Sequence, residues 1–102
     1  MATAASRVYA HITQDPKVCG GNACIDDTRI RVMDIVELQR EGCTPEKMLD
    51  AFAVRLTLAQ VHAALAYYYD HTEEIEGAFS EQHEARIESE QKRAEFLKHQ
   101  KT

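Results

Sequence analysis

The sequence predicts a mainly α-helical domain, with a short β-ribbon ahead of three helices and a charged helical tail behind them. Three observations carry this prediction. β-branched residues interrupted by turn residues fill Arg7 to Arg31, and from Met33 onward the apolar spacing changes to three and four. The segment from Glu73 to the end is rich in helix formers, with only Ile75, Phe79, Ile87, Phe96 and Leu97 as large apolar groups.

The segments follow in order: 1–7 as a flexible N-terminus, 8–72 as ribbon and helical bundle, and 73–102 as the tail. Val8 to Ile12 is expected to form one strand, and Ala23–Ile25 with Arg29–Val32 a hairpin around Asp26 and Asp27. A first helix runs from Met33, with Ile35, Val36 and Leu38 apolar and Gly42 as its C-terminal stop. Thr44-Pro45-Glu46 then supplies an N-cap, a first-position proline and a first-turn acid for a second helix of about two turns, which carries Met48, Leu49 and Phe52 inward. After the connection Ala53 to Leu56, Thr57 and Gln60 form a T-x-x-Q capping box that opens a third helix through Tyr69.

Leu58, Val61, Leu65, Tyr68, Thr72, Ile75 and Phe79 recur in steps of three and four, so one seam is expected to run from the third helix into the tail. Gly77 is its weak point. The seam offers more apolar surface than a small three-helix core covers. Leu58, Val61, Leu65, Tyr68, Ile75 and Phe79 are therefore expected to form the interface of a homodimer or higher homo-oligomer. Of the consecutive tyrosines, Tyr68 belongs to the seam and Tyr67 and Tyr69 to its flanks.

At 102 residues the chain holds one core and not two. Its 44% hydrophobic and 28% charged residues suit a folded globular domain. The apolar run Ala63 to Tyr69 is far short of a bilayer span, and MATAASRVYA lacks the basic and apolar regions of a secretory signal. Three cysteines, an odd number, suit a reducing compartment, so a cytoplasmic location is expected. A net charge of −5 creates no global field toward nucleic acid.

Chemistry-bearing patterns are sparse. Cys19 and Cys24 have half of a zinc-knuckle spacing, but Cys43 and His11 supply no second close pair, so reduced, metal-free thiols are expected. Ser6, Ser80 and Ser89 lie in the terminal segments, away from any rigid oxyanion hole. No phosphate-cradling glycine motif and no H-E-x-x-H occurs, while Asp34, Glu37 and Glu41 have the spacing of a solvated helix face. A non-enzyme without cofactor follows. The helices permit a helix-turn-helix, yet the outward positions of the third, Ala59, Gln60, Ala63, Ala66, Tyr67 and Asp70, include no cation. Gln60 and His62 are the candidates for base edges, and Arg29 and Arg31, two apart on one strand face, for phosphates.

Gly20-Gly21, Thr28-Arg29-Ile30-Arg31-Val32, Gly42-Cys43-Thr44-Pro45-Glu46 and the run Leu56 to Tyr67 together resemble a widespread prokaryotic domain family of unknown function. That family is described as a VapB-like antitoxin helix-turn-helix domain. Ala23, Asp27 and Arg31 stand where the family pattern has proline, glycine and proline. Asp27 must then adopt the glycine turn conformation, which Asp tolerates. The resemblance implies a homeodomain-like or winged-helix-like bundle of the DNA/RNA-binding type, frequent self-association, and a toxin partner similar to a PIN-type ribonuclease. It carries over no catalytic residue.

Three functions are therefore weighed. The first is an antitoxin-like, non-enzymatic protein that binds a PIN-like toxin and operator DNA. The second is an oligomeric assembly module that never touches DNA, and the third a small metal or redox protein built on Cys19 and Cys24.

Overall fold

The computed structural model describes residues 6–99 and is mainly helical, with a small antiparallel sheet at its N-terminal end. The sheet has three strands in the order β1 (Ser6–Tyr9), β2 (Ile12–Gln14) and β3 (Ala23–Ile25). Of the expected flexible segment 1–7, residues 1–5 lie outside the described residues, and Ser6 and Arg7 belong to β1. The expected single strand Val8–Ile12 is two strands. The chain turns at His11, whose φ of 64° places a non-glycine residue in the left-handed region. No Gly, Pro, Asn or Asp marks that turn in the sequence.

The hairpin after β3 forms around Asp27, which takes φ 59°, the conformation demanded of it in place of glycine. The Ile25 N–H donates to the Ile30 carbonyl at 2.9 Å and the Thr28 N–H to the Ile25 carbonyl at 3.1 Å. The return arm is shorter than Arg29–Val32: only Arg31 pairs with β3, opposite Cys24, and Val32 already begins the first helix.

The helices are α1 (Val32–Arg40), α2 (Pro45–Met48), α3 (Leu58–Asp70) and α4 (Thr72–His99). Gly42, at φ 91°, stops the chain after α1 as its sequence position predicts. Thr44 caps α2 by accepting from the Lys47 N–H at 3.3 Å, and Pro45 is its first residue. α2 is one turn, not two, and the connection to α3 runs from Leu49 to Thr57. The capping box of α3 is present: the Gln60 side chain accepts from the Thr57 N–H at 2.7 Å, and Thr57 Oγ1 accepts from the Gln60 N–H at 3.2 Å.

One core joins all these elements. Ile12 and Ile25 come from the ribbon, Val32, Met33, Ile35 and Val36 from α1, Met48 from α2, Val61, Ala64, Leu65 and Tyr67 from α3, and Ile75 from α4. α3 packs against α1 on one flank and against β2 and β3 on the other. That second flank explains a correction. Tyr67, not Tyr68, is the buried tyrosine, since the ribbon covers it, whereas Tyr68 is half-buried and Tyr69 is 63% exposed.

The seam also differs from its expected course. It breaks at His71 (φ −133°, ψ 45°) between α3 and α4, and not at Gly77, which is an ordinary residue within α4. Val61, Leu65 and Ile75 are buried in the chain's own core, so the seam supplies internal packing rather than a continuous outer face. Leu58 is 40% exposed, and Tyr68 and Phe79 are half-buried.

Candidate functional site

Two surfaces stand apart from this core. The first is a cleft of about 890 Å3 beside the ribbon, lined by Thr13, Asp15, Cys24, Asp26, Asp27, Arg29 and Val54 among others. Three separate turns bring its polar groups together. The Thr13 hydroxyl hydrogen-bonds Asp26, whose backbone N–H donates to the His11 carbonyl at 2.8 Å. The rim is thus acidic, with Arg29 as its cation, and part of the floor is apolar.

Behind the cleft lies a knot of sulfur and guanidinium. Cys19 takes φ 53° and its Sγ donates to the Arg29 carbonyl at 3.3 Å. Cys24, on β3, is buried opposite Arg31, with the Cys19 thiol among the groups that act on its own. Burial first, and then the Cys19 thiol, push the Cys24 thiol up to about 12. The Arg31 guanidinium grips Asp34 with Nη2 to Oδ1 at 2.8 Å and Nε to Oδ2 at 3.2 Å, and the same Oδ2 accepts from the Arg31 N–H at 2.9 Å. This fork raises the Arg31 pKa and closes the start of α1. Among the described residues no cluster of three or more His, Cys, Asp or Glu is arranged to hold a metal ion.

The second surface is α4. Its first part is pinned to the body: Tyr67 Oη donates to the Glu74 carboxylate at 2.8 Å, Tyr68 Oη to Glu76 at 2.6 Å, and Arg40 pairs with Glu76. The Arg40 guanidinium also lies 4.4 Å from the Phe79 ring centroid. From His83 to Lys98 every residue is exposed, including Ile87, Phe96 (61%) and Leu97 (49%). At about 1.5 Å per residue this free part reaches more than 20 Å beyond its last anchored turn. Thr72 to Ala85 carries five acids and no Lys or Arg, whereas the four cations of α4, Arg86, Lys92, Arg93 and Lys98, all follow. No helix among the described residues is long and apolar enough to cross a membrane.

The structure does not bring the proposed nucleic-acid residues to one surface in the expected way. Arg29 and Arg31 do not share a strand face: Arg29 is exposed in the turn, while Arg31 is bound to Asp34 at the head of α1. The carboxylate fork with Asp34 belongs to Arg31, not to Arg29. Gln60 is engaged in the α3 capping box, and His62 is exposed on α3. The sequence singled out Cys19 and Cys24 by their spacing across Gly20-Gly21, but not the placement of Arg29 and Arg31 beside them.

The fold and these two surfaces define a class: a small ribbon-and-bundle domain that carries a projecting helix. The chain belongs to the DUF433 family of proteins of unknown function, whose profile matches residues 12–68, more than half of its length. It is similar to the crystal structure of a DUF433 member protein from Anabaena variabilis ATCC 29413, at 33% sequence identity and a TM-score of 0.63. That similarity covers 69% of this chain and 68% of the other. No functionally curated protein matches the chain.

Proposed function

We propose that this chain is an antitoxin-like, non-enzymatic protein that binds a PIN-like toxin through the free part of α4. The observation that carries the reading is the exposed stretch His83–Lys98, which holds Ile87, Phe96 and Leu97 out in solvent on a helix anchored firmly at its other end. A helix this polar gains most of its stability from packing, so a length without contacts calls for a partner surface. The toxin class comes from the family resemblance alone, since DUF433 is a family of unknown function.

A homeodomain-like use of α3 on operator DNA is the less favoured part of this reading. Gln60 is held in a cap and Arg31 by Asp34, which leaves Arg29 and His62 as the exposed candidates. Few phosphate contacts give weak binding on a chain of net charge −5. These engagements favour the assembly-module reading over DNA binding, with self-association through α4 as its form.

The test is co-expression of the full chain with a PIN-like nuclease from the same genome. Relief of growth arrest and co-purification are expected, and both should be lost with Phe96→Asp and Leu97→Asp while the circular dichroism melt stays unchanged. Co-purification that survives both substitutions removes α4 as the binding element. Absence of any complex with the wild-type chain removes the toxin.

A further inference from the structure

The geometry points to Cys19 and Cys24 as a modification site: a thiol pair that a peroxide oxidises to an intrachain disulfide. The inference concerns the ribbon and is independent of the α4 reading.

Three consecutive left-handed residues, Cys19 (φ 53°), Gly20 (φ 64°) and Gly21 (φ 86°), fold the chain back so that β3 runs beneath Cys19. The two glycines make that reversal practicable, because a side chain at either position would be strained. Both cysteines then meet the same short stretch of chain, Cys19 through its sulfur and Cys24 through its backbone. Cys19 Sγ bonds the Arg29 carbonyl at 3.3 Å, and Cys24 pairs across the ribbon with Arg31. After burial, the Cys19 thiol is the strongest influence on Cys24, and the Arg31 guanidinium lies within electrostatic reach of both side chains.

Access divides the roles. Cys19 is half-exposed, while Cys24 is 5% exposed but contributes to the wall of the 890 Å3 cleft. Cys19 is therefore the first to meet a small oxidant, and Cys24 the one held in reserve behind it. As thiolate, Cys19 attacks one peroxide oxygen; the O–O bond breaks, a sulfenic acid forms, and the second oxygen leaves as water after taking a proton. The Cys24 sulfur then attacks the sulfenyl sulfur, the S–S bond forms, and the sulfenic oxygen leaves as a second water with the Cys24 proton. The pair gives up two electrons and the peroxide accepts them. Cys43, half-buried beyond α1, serves as an internal control.

The experiment treats the full chain with hydrogen peroxide, then alkylates it in denaturant and measures intact mass. The expected product has lost the mass of two hydrogens, takes up a single alkyl group, at Cys43, and recovers all three sites after dithiothreitol. Cys43→Ser should leave the oxidation intact. Cys24→Ser should stop at a Cys19 sulfenic acid that dimedone captures, and Cys19→Ser should leave Cys24 reduced. Full alkylation of the peroxide-treated wild type overturns the proposal, as does a disulfide that includes Cys43.

Discussion

The Tyr67 and His71 rings stack with centroids 4.1 Å apart and planes 15° from parallel, across the break that separates α3 from α4. Tyr9 meets both edge-on, at 5.5 and 6.2 Å, so the ribbon closes the stack from the side. The His71 Nδ1 lies 3.1 Å from the Tyr67 carbonyl, and the Tyr67 hydroxyl reaches forward to Glu74. The direction in which α4 leaves the body is thus set by aromatic packing. Tyr67→Phe retains the ring and removes the hydroxyl, and should lower stability by about 1–2 kcal/mol in chemical denaturation. His71→Ala should destabilise the fold as well. An unchanged melt in both variants would refute this account of the hinge.

Asp34 should matter more than Arg31, and Arg29 least. Asp34 accepts both from the Arg31 backbone N–H at the head of α1 and from its guanidinium, so Asp34→Ala removes a cap together with an ion pair. A loss of about 1–2 kcal/mol is expected for Asp34→Ala, and about 0.5–1 for Arg31→Ala, whose pair is partly solvated. Arg29→Ala should leave the denaturation midpoint in place. The reverse order would give Arg29 a structural role.

Alkaline stability should depend on Cys24. Its thiol is held up to about 12 by burial, so above roughly pH 8.5 the unfolded chain loses a proton that the folded chain retains. This contribution is complete below the unfolded pKa and falls as pH rises toward the folded value, by at most about 1.4 kcal/mol per pH unit. The Tyr67 hydroxyl, also raised by burial and by Glu74, adds to the loss only above about pH 10. Between these values Cys24→Ala should show a flatter profile than the wild type. Parallel profiles would mean that the thiol is not the titrating group.

At acid pH the anchor of α4 should weaken. The Tyr68 hydroxyl and then Arg40 hold the Glu76 carboxyl below the usual range, so its contribution is present above the unfolded pKa and is lost as pH falls through the lower folded value. In a carbon-detected titration Glu76 should titrate below the ordinary glutamate range. Tyr68→Phe should move it back upward, and a Glu76 midpoint unaffected by that change would reject the pairing.

Local signals wrote much of this fold legibly. Thr57 with Gln60, Thr44 with Pro45, and Gly42 each act through the next few residues, and each appears where the sequence puts it. Features decided by distant parts of the chain were not legible. Tyr67 is buried because a ribbon more than forty residues earlier covers it, and periodicity within α3 does not record that cover. His11 turns the chain without a turn residue, because the pairing of β1 with β2 holds it there. The candidate site was half legible: the acidic and glycine-rich turns were visible, but the meeting of Cys19, Cys24 and Arg31 depends on how those turns stack.

The burial of Val61, Leu65 and Ile75 yields a prediction that separates core from interface. If these side chains stabilise the single chain, truncating one removes packing that exists at every concentration. Leu65→Ala should then cost about 2–4 kcal/mol and lower the melting temperature by roughly 10 °C or more. The drop should be the same at 2 and at 200 µM, whereas contacts between copies strengthen with concentration by mass action. Phe96→Asp, on the free part of α4, should behave in the opposite way: little change in the dilute melt, and loss of whatever association sedimentation detects in the wild type. A Leu65→Ala defect that is repaired as concentration rises would place Leu65 between copies and return the seam to the role that its spacing first suggested.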